Sequence, residues 1–317
     1  MSRFPVWAVV LNHREATDTL RCLDALGKVG YRSLTRLVVD NASGPGEVAW
    51  LRSAGATVVE SGGNLGYAGG NNVGLRLALE AGAEAVWVVN PDAYPEPGSL
   101  LRLVKVLRRH PEVGIVGPRI LEAESATPRI QSDGGRIVWE AGGRSELIGR
   151  GTAPGRGGGM RLVDFVPGAA MLVRRKVFED IGLLPEEWFL YFEETDFCLK
   201  LWRAGWTNWY VPESHVMHEA GQSTGLTGKR GVDTPRPRYW YESRRRYFAK
   251  NHGVPYAAAL DGVVVVASAL HGVYRRMRGK ASRPEPFLVA DLLRSSVILP
   301  RNRAISPASE FWPPPPT

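Results

Sequence analysis

Four consecutive apolar residues, Val86-Trp87-Val88-Val89, run straight into Asn90-Pro91-Asp92, and that abrupt stop constrains the fold more than any other stretch of the chain. A short apolar run without polar alternation suits a strand covered on both faces, as inside a parallel sheet flanked by helices. Proline has no N–H for a ladder, so the strand ends there and Asp92 arrives at its carboxyl edge. Ligands of open α/β sheets bind at that edge. A carboxylate there suits a hard cation holding phosphate oxygens, and equally suits a turn in which Asp bonds its own backbone.

The preceding chain repeats the pattern. Val6 to Leu11 is an apolar run ending in Asn12-His13-Arg14, and Leu20, Leu23 and Leu26 then recur at helical spacing. Leu37 to Val39 stops on Asp40-Asn41-Ala42-Ser43-Gly44, followed by a helix over Glu47 to Ala54 and a short strand from Ala56 to Glu60. The glycine-rich stretch Gly62 to Gly70 opens onto a helix expected over Val73 to Ala81; it reads either as a flexible loop or as bare backbone able to cradle phosphate. The alternation predicts an α/β fold with a mostly parallel sheet between helices. No Gly-x-Gly-x-x-Gly turn precedes Asp40, which speaks against a dinucleotide site.

Further on, Ser99 to Arg109 is an amphipathic helix with Ser99 in the N-cap position, and Val113 to Ile120 is a strand. Glu122 to Gly159, rich in Gly, Arg and Ser, predicts a hairpin and a long mobile loop. Val163 to Val173 reads as an irregular strand, and Trp206 to Val211 as another. Between them Trp188-Phe189-Leu190-Tyr191-Phe192 leads into Glu193-Glu194-Thr195-Asp196, the opening of a helix to Arg203. Those acids either serve the helix dipole or, stripped of water among aromatics, gain the proton affinity of a general base. His215 and His218 follow within one short segment.

Five motifs in order, Asp40-Asn41-Ala42-Ser43, Asn64 to Asn72, Asn90-Pro91-Asp92, Glu193 to Lys200 and His218 to Ser223, resemble glycosyltransferase family 2, especially its bacterial rhamnosyltransferase-like members. The resemblance covers roughly residues 5 to 225. It implies a GT-A fold of the nucleotide-diphospho-sugar transferase type, a nucleotide-diphosphate sugar donor, a divalent metal (Mg2+ or Mn2+) and inversion at the anomeric carbon. On that reading Asp92 and His218 hold the metal, and Asn12, Arg14, Asp40, Asn41, Gly66, Asn71, Asn90 and Asp92 bind the donor. Glu194 is the base beside Glu193, and Asp196 orients their helix. Asn90 stands where the family's Asp-x-Asp motif has its first Asp, and Glu194 where Asp is usual. The implied reaction moves a sugar, with rhamnose from dTDP-rhamnose the leading choice, to a glycan or lipid-linked acceptor of the cell envelope. The Asn90 departure motivates the alternative of a non-catalytic nucleotide-sugar or glycan-binding module.

The net charge of +8 is uneven: from Lys229 onward there are 16 basic against 6 acidic residues. Residues 1–228 are therefore expected to be the catalytic domain, 229–300 a basic, aromatic helical extension, and 301–317 a disordered Pro-rich tail. Tyr239, Trp240, Tyr241, Tyr247 and Phe248 among arginines predict reversible, salt-sensitive contact with anionic membrane, or a homodimer contact, and the nucleic-acid alternative is set aside. Two free cysteines, no N-terminal leader and no run of about 18 uninterrupted apolar residues lead to the expectation of a cytoplasmic protein on the inner face of the plasma membrane.

Overall fold

The computed structural model describes residues 4–123, 127–138, 144–155, 159–219, 238–278 and 288–299. The first half alternates strand and helix: β1 (Val6–Asn12), α1 (Ala16–Lys28), β2 (Leu34–Asp40), α2 (Pro45–Ser53), β3 (Val58–Glu60), α3 (Gly66–Glu80), β4 (Ala85–Val89), β5 (Ala93–Pro95), α4 (Ser99–Arg109) and β6 (Val113–Glu122). Then come β7 (Ile130–Ser132), β8 (Gly135–Val138), β9 (Arg144–Leu147), β10 (Arg161–Leu162), β11 (Ala170–Arg174), α5 (Arg175–Ile181), α6 (Glu193–Arg203) and β12 (Thr207–His218). Helices α7 (Arg238–His252), α8 (Val254–Met277) and α9 (Leu288–Ser295) follow.

Among the described residues the main sheet runs β10-β12-β6-β11-β4-β1-β2-β3, with β5 on β12 and β7 on β6. The β3-β2-β1-β4 half is parallel, as the alternation predicts. β11 is antiparallel to both β4 and β6, so the sheet is mixed. All five residues of β4 are buried, Trp87 completely. Each large side chain so buried contributes about 1.5–3 kcal/mol of transfer free energy, which fixes β4 as the centre of the sheet.

The glycine-rich stretch is part loop, over Gly62 to Leu65, and part helix. Helix begins at Gly66, so Gly69, Gly70 and Gly74 lie in its first turns, where they let it rest on the sheet. A β-carbon on Gly70 would stand 2.5 Å from Leu11 Cδ1, and one on Gly74 would stand 2.5 Å from Val9 Cγ1. Ser99 is not the N-cap of α4 but its first helical residue, behind Gly98 at φ 78°. The expected mobile loop contains strands β7, β8 and β9, and β12 continues past Val211, through a register shift before His215, to His218.

The chain divides into two compact units: Met1–Arg136, Glu146–Glu186 and Glu193–Ala220 form one, and Ile137–Ser145, Glu187–Phe192 and Gly221–Thr317 the other. The second is built around α7. Tyr241, Tyr247 and Phe248 are buried, Phe192 packs on Tyr247 with ring centroids 5.4 Å apart, and Arg246 lies 5.6 Å from the Trp188 ring. Tyr241, Tyr247 and Phe248 are core, so these three are not the headgroup anchors that the sequence suggested, whereas Tyr239 and Trp240 are half-buried. Buried Asp261 of α8 accepts hydrogen bonds from Arg244 of α7 and from Ser296, tying three segments together. α8 is also long and apolar enough to cross a membrane by length and composition, with a mean hydropathy of 1.6. The criterion of uninterrupted apolar residues passed over it because Asp261 and small residues break the run without ending the helix. The Pro-rich stretch 301–317 lies outside the described residues.

Candidate functional site

Strand pairing places the predicted metal ligands together. β5 and β12 are antiparallel with Ala93 opposite His218, and the Glu219 amide donates to the Asp92 carbonyl at 3.1 Å. His218 Nε2 then stands 3.1 Å from Asp92 Oδ1, both side chains nearly buried. On the other side of the ring, Nδ1 is 2.6 Å from Gln131 Oε1 of β7. The imidazole is thus held between an amide and a carboxylate, with Nε2 and Asp92 Oδ1 close enough to serve as neighbouring ligands of one cation. A carboxylate with an imidazole suits Mg2+ or Mn2+ when phosphate oxygens and water fill the remaining positions. Among the described residues no third His, Cys, Asp or Glu joins them. His215 differs: Glu96 and the Pro212 carbonyl hold its ring nitrogens, a structural role.

The parallel register of β1 and β2 sets Asn12 beside Asp40 at the carboxyl edge. Asn12 is fully buried and its amide is spent: Nδ2 donates to Asp40 Oδ1 and Ser43 Oγ, both at 2.9 Å, and Oδ1 accepts from Thr19. Asn12 therefore orients Asp40, whose Oδ2 also accepts the Ser43 amide. Arg14 is exposed in the left-handed region at φ 61°, with its amide on Ser43 Oγ. Asn41 accepts the Leu65 amide and donates to Asn64 Oδ1 and the Gly66 carbonyl, welding the start of α3 to the end of β2.

A chain of contacts leads from there to the acidic pair. The Asn90 amide donates to the Ala169 carbonyl, and Tyr67 Oη donates to the neighbouring Gly168 carbonyl at 2.6 Å. A β-carbon on Gly168 would sit 2.6 Å from that hydroxyl, so only glycine allows the approach. Burial pushes the Tyr67 phenol far above its ordinary value, and the charges of Glu193 and Glu194 push it further. Asn71 Nδ2 donates to the Tyr67 carbonyl, while its buried Oδ1 has no hydrogen-bond partner.

Glu193 is buried and Glu194 half-buried at the first turn of α6, directly after Tyr191 and Phe192, both with φ near 70°. Bulky residues there store about 1–3 kcal/mol each of backbone strain. Burial raises the Glu193 carboxyl well above the carboxylate range, and the charge on Glu194 raises it further. Burial also raises Glu194, but the backbone N–H groups of Glu194 and Thr195 oppose that rise. Both acids therefore hold protons more tightly than an ordinary carboxylate, Glu193 the more strongly, while the helix-start N–H groups favour charge on Glu194. Each Oε2 is buried without a hydrogen-bond partner. Asp196 is buried in the same turn. Sequence reasoning missed Gln131, which sits in no run with local chemistry, and gave Tyr67 no role although it lies within the Asn64 to Asn72 motif; only the sheet and α3 bring them in.

Comparison with known proteins shows the family and the fold. Residues 7–182 match the family described as Glycosyl transferase family 2. A low-salt glycan biosynthesis hexosyltransferase of Haloferax volcanii is 32% identical over 193 residues, covering 61% of this chain and 60% of that protein. An N-acetylglucosaminyl-diphospho-decaprenol L-rhamnosyltransferase of Mycobacterium tuberculosis is 29% identical over 231 residues, covering 65% and 73%. Among solved structures, a mannosyltransferase of Pyrobaculum calidifontis in complex with GDP-Man and Mn2+ superposes with a TM-score of 0.59 at 17% identity, over 95% of this chain and 88% of that one. GalNAc-T7 with UDP, GalNAc and Mn2+ gives 0.56 at 16%, over 92% and 57%. At those identities the structures speak for the GT-A fold.

Proposed function

The chain belongs to glycosyl transferase family 2, and from that premise we propose that it is an inverting, metal-dependent glycosyltransferase that moves a hexosyl group from a nucleotide-diphosphate sugar to a hydroxyl of a glycan or lipid-linked acceptor. The observation that carries this reading is the Asp92–His218 pair, 3.1 Å apart beyond the carboxyl edge of β4. These two residues would hold a single Mg2+ or Mn2+, which would supply positive charge next to the diphosphate leaving group.

The remaining roles follow from the chain's own groups. Asp40, oriented by Asn12, reads the nucleoside, and Arg14 and the Gly66 start of α3 approach the donor. Asn71 and Asn90 line the sugar side, with the unspent Asn71 Oδ1 as acceptor for a sugar hydroxyl. Glu194, at the start of α6, takes the proton of the acceptor hydroxyl as its oxygen attacks the anomeric carbon. The carbon–oxygen bond to phosphate breaks on the opposite face and its electron pair leaves with the nucleoside diphosphate, so the product is inverted. Asp196 stabilises the turn that presents Glu194. The rhamnosyltransferase relative supports dTDP-rhamnose as the first donor to try.

Donor turnover by the purified chain with Mn2+ or Mg2+ tests the proposal, using dTDP-rhamnose and then UDP and GDP sugars. Release of nucleoside diphosphate that requires the metal and is lost in Glu194→Gln supports it. Tight nucleotide binding with no turnover of any donor favours the non-catalytic module instead, the reading that Asn90 in place of an Asp motivates.

A further inference from the structure

The part of α8 beyond Asp261 projects an apolar surface that no described residue of its own unit covers. From Gly262 to Tyr274 there is no Asp, Glu, Lys or Arg. Val263, Val266, Leu270, Val273 and Met277 are exposed along one stripe at spacings of three and four, Ala267 and Ala269 are exposed beside it, and Tyr274 is 53% exposed. The exposed apolar surface therefore extends around the helix rather than along a single seam. Water does not stabilise such a surface, and contiguous exposed apolar patches mark binding faces. Its far end carries Tyr274, Arg275, Arg276 and Arg278, an aromatic and a set of cations placed as at a lipid interface.

We propose that this segment of α8 inserts lengthwise into the interfacial layer of a lipid bilayer, with its arginines on anionic headgroups. Its uncharged length is 13 residues, about 20 Å of helix, against a hydrocarbon core of about 30 Å, so it enters one leaflet and does not cross. The first part of α8 is not available for crossing, since Ala257, Leu260 and Asp261 are buried within the unit. A second copy of the chain is the weaker occupant. A two-stranded coiled coil covers one stripe and keeps charged residues flanking it, whereas here the flanking positions are Gly262, Ala267, Ala269 and Tyr274, with a charge only at Arg276. The attachment is thus hydrophobic first and electrostatic second, opposite to the salt-released contact that the composition suggested. It stands independently of the transferase reading.

Flotation of the full chain with vesicles tests it, using neutral phosphatidylcholine and phosphatidylcholine with phosphatidylglycerol, each in 0.1 and 1 M salt. The chain is expected to float with both, more with the anionic vesicles, and to stay bound in 1 M salt. Val266→Asp and Leu270→Asp should each lower the bound fraction on both vesicle types about tenfold or more, as expected when apolar burial drives binding. Arg275→Ser with Arg276→Ser should abolish only the anionic preference. Circular dichroism confirms that each variant folds, and donor turnover with a soluble acceptor reports the transferase reading separately. No flotation, complete release by 1 M salt, or flotation unchanged in Leu270→Asp overturns the proposal. So does a non-floating parent that sediments as a dimer and becomes monomeric in Leu270→Asp.

Discussion

His218 and Asp92 face each other across 3.1 Å, while the far nitrogen of the same imidazole rests on Gln131. A carboxylate, an imidazole and an amide that fixes the ring are the elements of a metal ligand set with its outer support. Asp92→Asn and His218→Ala are each expected to weaken Mn2+ binding in the presence of nucleoside diphosphate by about 10- to 100-fold. Isothermal titration with UDP or dTDP present measures it, and unchanged affinity in both variants removes the assignment.

Gln131→Leu leaves both ligands in place but frees the ring to turn. Mn2+ affinity should fall about tenfold while nucleotide binding without metal stays unchanged, the split expected of outer-shell support. Equal loss in both measurements would instead indicate collapse of β7.

The two glutamates are expected to separate. Glu194→Gln should lower kcat by roughly 10²- to 10⁴-fold with donor affinity retained, the range of a positioned general base. Glu193→Gln replaces the more strongly raised acid with a neutral isostere and should leave kcat within about tenfold of the parent. Loss of comparable size in Glu193→Gln or in Asp196→Asn would move the base.

pH dependence follows from the same pair. Both carboxyls are raised above the ordinary glutamate value of 4.5. The acidic limb of kcat/KM should therefore lie above that value. Stability moves the other way: between pH 4.5 and the folded pKa of Glu193, the native chain holds a proton that the unfolded chain has released. Stability therefore falls as pH rises through that window. Urea melts at several pH values should show this slope in the parent and a flatter one in Glu193→Gln.

Two substitutions test the close approaches. Gly74→Ala places a methyl 2.5 Å from Val9 Cγ1 and is expected to cost about 1–3 kcal/mol by overpacking α3 against β1. Asp261→Ala leaves Arg244 buried without its counter-charge and is expected to cost about 3–5 kcal/mol. Denaturant midpoints report both.

The sheet order around Asp92 was legible because Val86 to Val89 and Leu37 to Val39 are apolar runs with polar stops, and such runs read the same way in any α/β chain. α4 and α6 were legible from periodicity and first-turn acids. Three features were not. Gly69 and Gly70 look like loop residues by propensity, but close packing on Leu65 and Leu11 overrides propensity. The direction of β11 is set by pairing with β4 and β6, which its own residues do not encode. The aromatics of α7 look amphipathic beside their arginines, yet Arg244 and Arg246 spend their charges inside the unit on Asp261 and on the Glu187 carbonyl.

The reversed direction of β11 also sets an order of assembly. The Asn90 amide, next to the strand that delivers Asp92, finds its partner only at Ala169, and Asp92 meets His218 only when β12 has been laid down. These pairings join distant parts of the chain, and such contacts form slowly because long loops must close first. A nascent chain that has made β1 to β4 already possesses Asp92 without its imidazole partner. Tight Mn2+ uptake is therefore a signal of completed folding, and it should appear later in refolding than the circular dichroism of the helices.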